Sequence, residues 1–161
     1  MSDTNDLNKT HAEVSYMSDD EIIELARKIS LKRLAQGPVL TNPQAANKYL
    51  QAIFAAHTSE VFGIVYLDSQ HKVLAFREHF FGSLTVTAVY SREIIKAAIA
   101  YNAGAIICTH NHPSGVEEAS QADIQLTHHL RDAMNLIDVR LLDHIIVTPG
   151  KCYSLAEAGQ I

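Results

Sequence analysis

Val61 to Leu67 is an unbroken run of seven uncharged, mostly apolar residues, and it does most to set the fold class. The run is too short for a typical helix and rich in β-formers, so it reads as a buried strand. Residues 105–109 repeat the pattern as a core strand. Helical stretches surround both. Ser18 followed by Glu21 is a capping box opening a helix through about Gln36, with Ile22, Leu25 and Ile29 on one face. Gly37-Pro38 ends it, and Thr41-Asn42-Pro43 starts a second helix to about Ala56. Residues 72–80 are expected to pair antiparallel with the first strand across an Asp68-Ser69-Gln70-His71 turn. A short strand is expected over 84–89, then a helix capped by Ser91 and ended near Asn102 and Gly104. Residues 110–119 read as a loop, 120–134 as a helix, 140–148 as a strand and 152–155 as a last short one. The expected architecture is an α/β sheet with helices packed on it.

At 161 residues the chain fits one domain able to bury a stable core without staples. Thirteen basic against eighteen acidic residues give a formal charge of −5, which offers phosphate backbones no general attraction. Cys108 and Cys152 are too few for a disulfide framework and fit a reducing compartment. No apolar stretch approaches the roughly eighteen residues needed to cross a bilayer, and residues 1–16 lack the apolar core of a signal peptide. The cytoplasm is the expected address, and no membrane association is expected. Nine histidines invite a search for a metal site.

The search ends at Thr109-His110-Asn111-His112-Pro113-Ser114-Gly115, followed by Ser120-Gln121-Ala122-Asp123. Residues two apart in an extended segment share a side, so His110 and His112 can present two imidazoles to one ion. The glycine-containing loop can fold the start of the next helix back toward them, bringing Asp123. Two neutral imidazoles and a carboxylate suit Zn²⁺, and three protein ligands leave a fourth position for water. A His-x-His pair alone is weak evidence. Ser120-x-x-Asp123 is by itself a good capping pattern, compatible in part with a ligand role because a carboxylate has two oxygens. The conjunction carries the weight: strand, His-x-His, loop, then a helix start with Ser and Asp.

His110-x-His112, seven intervening residues and Ser120-x-x-Asp123 resemble the JAMM metalloenzyme motif. The longer string from Thr109 to Gly115 is similar to the bacterial RadC branch. So are Leu142-Asp143-His144-Ile145-Ile146 and Tyr153-Ser154-Leu155-Ala156-Glu157-Ala158-Gly159. The likeness covers about residues 42–161. It implies a JAB/MPN-like (cytidine-deaminase-like) mixed sheet flanked by helices. Polar composition makes residues 1–17 a flexible tail, and a boundary near residue 38–42 sets off 18–41 as a helical appendage, one continuous domain being the alternative. The likeness also implies Zn²⁺ held by His110, His112 and Asp123. Glu60, in Thr58-Ser59-Glu60-Val61-Phe62, is then the general base, and Ser120 helps to stabilise a tetrahedral intermediate. Spacing alone does not choose Glu60 over Glu78 or Glu93.

Two departures from the family pattern stand out. Residues 1–41 show one good helix and no glycine hairpin between paired helices, so the DNA-associated helix-hairpin-helix of longer RadC proteins is expected to be absent. The loop Val116-Glu117-Glu118-Ala119 also lacks the proline that commonly precedes the motif serine. The resemblance implies a peptidase or isopeptidase acting on a peptide or protein. The competing expectation is a non-catalytic zinc module linked to DNA repair or recombination, whose affinity for nucleic acid would fall steeply with salt. Cys108 is either a fourth ligand or a core residue. His144 either orients a ligand or substrate or is a hydrogen-bonded core histidine. Asn111 and Ser114 contact substrate or shape the loop. His128 and His129 are assigned no role, and no feature sets the oligomeric state.

Overall fold

The computed structural model describes residues 11–36, 43–82 and 89–161. Strands β1 (Val61–Leu67) and β3 (Ala105–Asn111) are buried along their whole length. Both faces of the sheet are covered there, which is why these segments read as continuous apolar runs rather than as an alternation. The sheet order is β2-β1-β3-β4-β5, with β2 spanning Val73–Phe81, β4 Arg140–Val147 and β5 Cys152–Ser154. β1 is antiparallel to both β2 and β3, β3 is parallel to β4, and β4 is antiparallel to β5. A parallel step needs a crossover, and helix α5 (Gln121–Asn135) supplies it.

Side-chain alternation divides the core in two. Val61, Val65 and Ile107 point to one face, where they pack with Leu34 of α2 (Asp19–Gln36) and with Leu50 and Ile53 of α3 (Pro43–Phe54). Phe62, Ile64, Ile106 and Cys108 point to the other, against Ile94 of α4 (Ser91–Ala100) and Leu126 and Leu130 of α5. The mixed α/β architecture read from the sequence is therefore present. The capping box at Ser18 is formed too. Its N–H and hydroxyl donate to Glu21 Oε2 at 2.8 and 3.0 Å, and Glu21 N–H donates back to Ser18 Oγ at 3.4 Å. Arg27 of α2 also reaches across to Glu78 of β2 at 3.0 Å.

Some expectations are corrected. β3 continues through Asn111, so His110 and Asn111 are strand residues rather than loop residues. Pairing decides this: His110 stands opposite Phe62 on one side and Ile146 on the other, which a reading that stopped at the first polar side chain could not see. The N-cap position of α4 is Tyr90, not Ser91, and its side chain makes no cap bond. The chain leaves extended conformation one residue early, and the buried Ser91 hydroxyl has no partner among the described residues. The strand expected over 84–89 lies outside the described residues except for Val89. Within the stretch read as a tail, His11–Val14 form one helical turn, α1. No described helix is long and apolar enough to cross a membrane.

Candidate metal centre

His110 is the next-to-last residue of β3, and His112 follows directly after the strand. Pairing with β4 holds both in place, because His112 N–H donates to Val147 O at 2.8 Å and prolongs the ladder beyond Asn111. Gly115, at φ 81°, then turns the chain back, its N–H donating to His112 O at 3.0 Å. Few residues but glycine accept that conformation readily. The turn delivers the start of α5, with Asp123 in its first turn.

The ligand atoms of His110, His112 and Asp123 all lie within 4.8 Å of one another, and all three residues are buried. The two Nε2 atoms are 2.8 Å apart. Asp123 Oδ1 is 3.4 Å from His110 Nε2, and Oδ2 is 3.7 Å from His112 Nε2. His112 Nδ1 lies 2.8 Å from Val116 O. A carbonyl can only accept, so that Nδ1 carries the proton and the neutral ring keeps its Nε2 lone pair for the site. Burial pushes the His110 pKa down to about 4, with Asp123 opposing and His112 reinforcing the shift. The His110 ring is therefore neutral at pH 7, the form a metal requires. Two imidazole nitrogens and one carboxylate converging in a buried pocket are a donor set that fits Zn²⁺.

Asp123 caps its own helix and also stands beside the two histidines. Its Oδ2 accepts from Ser120 N–H at 2.8 Å and from the Ser120 hydroxyl at 2.6 Å. Asp123 N–H donates to Ser120 Oγ at 3.1 Å, completing the capping box of α5. Oδ1, free of both cap bonds, is the oxygen nearest His110 Nε2, while Oδ2 is the one nearest His112 Nε2. Ser120 thus stands beside the ligand group, tied to one of its members. Glu60 stands at the entrance of β1, half-buried, two residues before the Phe62 that pairs with His110.

What holds Glu60 there was not legible beforehand. Alternation turns the Asn111 side chain away from the two histidines that flank it, and its amide grips the backbone on both sides of Glu60. Asn111 Oδ1 accepts Val61 N–H at 2.7 Å, and its Nδ2 donates to Ser59 O at 3.0 Å. Asn111→Ala is expected to destabilise the protein by about 1–3 kcal/mol, since it leaves the fully buried Val61 N–H unpaired. Zinc uptake should stay near normal while any turnover that depends on Glu60 falls. Equal loss of zinc would show that Asn111 supports the ligands instead.

The other singled-out residues separate cleanly. Cys108 faces the same side as His110 but packs in the cluster of Phe62 and Leu126, outside the ligand group. Its place in that apolar cluster makes it a core residue, and burial, then the Asp143 charge, push its thiol up. His144 is fully buried against His110 and Thr127. Asp143 explains the rest of that segment. It accepts from His144 N–H, the Ser154 hydroxyl and Ala156 N–H at 2.7, 2.6 and 3.0 Å, clamping the C-terminal turn onto β4. His128 Nε2 meets Gln160 O at 2.9 Å, His129 is exposed, and Ser114 is exposed in the loop. A groove of about 490 Å³ opens beside His112, with Phe54, His57, Thr58, Asn111, Pro113 and Thr148 among its lining.

Comparison with known proteins agrees with this anatomy. The sequence profile of the RadC-like JAB domain matches residues 40–160. A UPF0758 protein of Halorhodospira halophila is 46% identical over 147 residues, 91% of this chain and 66% of its own length. One from Methylibium petroleiphilum is 50% identical over 138 residues, 86% of this chain and 62% of its own. The chain thus spans a little under two thirds of the curated relatives it matches. With the profile covering the whole sheet, the crossover helix and the buried His-His-Asp group, the chain belongs to the RadC-like JAB domain family.

Proposed function

We propose that the protein is a zinc-dependent hydrolase of the JAMM type that cleaves an amide bond in a peptide or isopeptide. The observation that carries this reading is the convergence of buried His110, His112 and Asp123, with His112 also lining an adjacent groove. When bound there, Zn²⁺ supplies a Lewis acid that lowers the pKa of water from about 15.7 to roughly 7. Every other part falls to the chain. The groove, with apolar walls from Phe54 and Pro113 and polar groups from His57, Thr58 and Thr148, suits an extended peptide. Glu60, its backbone pinned by Asn111, takes a proton from the attacking water and returns it to the leaving amine. The Ser120 hydroxyl gives its proton to Asp123 at rest, and rotation about its C–O bond frees that proton for a developing oxyanion. Asp123 Oδ2 keeps the Ser120 N–H meanwhile. The formal charge of −5 favours a peptide or protein substrate over nucleic acid.

The test is hydrolysis of linear and isopeptide-linked peptide libraries, read by mass spectrometry, with metal content measured in parallel. Chelation should stop cleavage and Zn²⁺ restore it. Glu60→Gln should keep zinc within about twofold and lose at least about 100-fold in rate. Loss of zinc in that variant, or cleavage that survives chelation, would show the assigned roles to be wrong. A wild-type protein that holds zinc but cleaves nothing would favour a non-catalytic module.

A further inference from the structure

His144 lies outside the ligand group, set edge-on to Phe62, yet it is wholly buried and its ring is bonded at both nitrogens. Its Nε2 is 2.8 Å from His110 Nδ1, and its Nδ1 is 2.6 Å from Thr127 Oγ1. Thr127 is one helical turn beyond Asp123, and its hydroxyl is also 2.6 Å from Asp123 O.

The direction of every proton follows from one constraint. A carbonyl oxygen has no proton to give, so the Thr127 hydroxyl spends its single proton on Asp123 O. Toward His144 the hydroxyl oxygen can then only accept, which requires a proton on His144 Nδ1. The neutral ring has only one, so its Nε2 is bare and must accept from His110 Nδ1–H. His110 in turn keeps a bare Nε2. That lone pair faces the bare Nε2 of His112 at 2.8 Å, with Asp123 Oδ1 at 3.4 Å, an arrangement of acceptors that a cation satisfies.

We infer that Thr127 and His144 are positioning residues that fix the tautomer of His110, so that Nε2 and not Nδ1 is offered to the metal. The inference rests on His110 being a ligand. It goes beyond that by assigning the orienting work to a helix hydroxyl and a second histidine, where such ligands more often lean on a carboxylate or backbone carbonyl. The same helix turn supplies Asp123 as ligand and Thr127 as the anchor of the proton order. Movement of α5 would therefore disturb two of the three ligands together.

The test combines two measurements on the full chain. In the metal-free protein, ring nitrogen shifts and one-bond couplings by ¹⁵N NMR should show protonated Nδ1 and bare Nε2 for both His110 and His144. Zinc affinity by chelator competition should fall about 10–100-fold in Thr127→Val and return to within about threefold of wild type in Thr127→Ser. The valine variant has nearly the same shape, and thermal melting without metal reports whether it is folded. A packing role alone would let valine bind zinc as the wild type does, or would leave serine as weak as valine. Either result overturns the inference. So does a wild-type His144 protonated at Nε2, even where zinc binds tightly. Wild-type protein that shows the stated proton order and takes up no Zn²⁺ supports the order and sinks the metal reading instead.

Discussion

Asp123→Asn should bind Zn²⁺ more than about 100-fold more weakly than the wild type while melting at nearly the same temperature without metal. The split follows from the two oxygens. The cap needs only an acceptor near the Oδ2 position, where Ser120 N–H and O–H arrive at 2.8 and 2.6 Å, and an amide oxygen serves there. The His110 side needs a second acceptor at the Oδ1 position, and an amide offers N–H donors there instead. The loss exceeds the 10–100-fold typical of groups that merely support a ligand, because a ligand itself is removed. Asp123→Ala loses both functions. It should bind zinc no better and cost about 1 kcal/mol more stability, the usual worth of a helix cap. For a chain of this size that is roughly 2–4 °C in melting temperature. Chelator competition and metal-free melts on the two variants decide the matter. Zinc affinity unchanged in Asp123→Asn would reduce Asp123 to a capping residue.

The sheet was legible because its central strands are buried on both faces and so carry no polar residue until the site begins. Boundaries failed where polarity and pairing part company. His110 and Asn111 look like loop residues by composition, yet they fill ladder positions opposite Phe62, Ile146 and Val147. Ser91 has the chemistry of a cap, but the backbone places Tyr90 at that position. The convergence of His110, His112 and Asp123 was legible because they lie close in sequence, the histidines at one strand end and Asp123 after one short loop. The contacts behind the site were not. Asn111 reaches the backbone beside Glu60 across 50 residues, and His144, which the sequence left as either an orienting or a core residue, reaches His110 across 34, so no local spacing could settle either contact. The letters of the motif name the three residues that converge, while the sheet order decides which distant side chains stand behind them.

That dependence on the sheet yields the prediction with the largest stability effect, at Phe62. Its side chain is fully buried, stacked on His110 at 6.3 Å and 24° and set edge-on to His144 at 5.6 Å and 82°. It also packs on Phe80 at 6.4 Å. Phe62→Ala should cost about 3–5 kcal/mol, the range for emptying a buried aromatic site, and lower the melting temperature by on the order of 10 °C. The cavity would lie against the two rings that must keep their orientation, so zinc affinity should fall with it, by about tenfold. Phe62→Leu refills part of the volume and should recover part of both losses. Ile64→Val supplies the control. Ile64 lies on the same strand and face, paired with Cys108 rather than His110, and its substitution should cost about 1 kcal/mol with zinc affinity untouched. Equilibrium denaturation and chelator competition on the three variants separate packing from ligand orientation. If Phe62→Ala is destabilised as expected but binds zinc like the wild type, the histidines are held by their hydrogen bonds alone and the aromatic wall serves only the core.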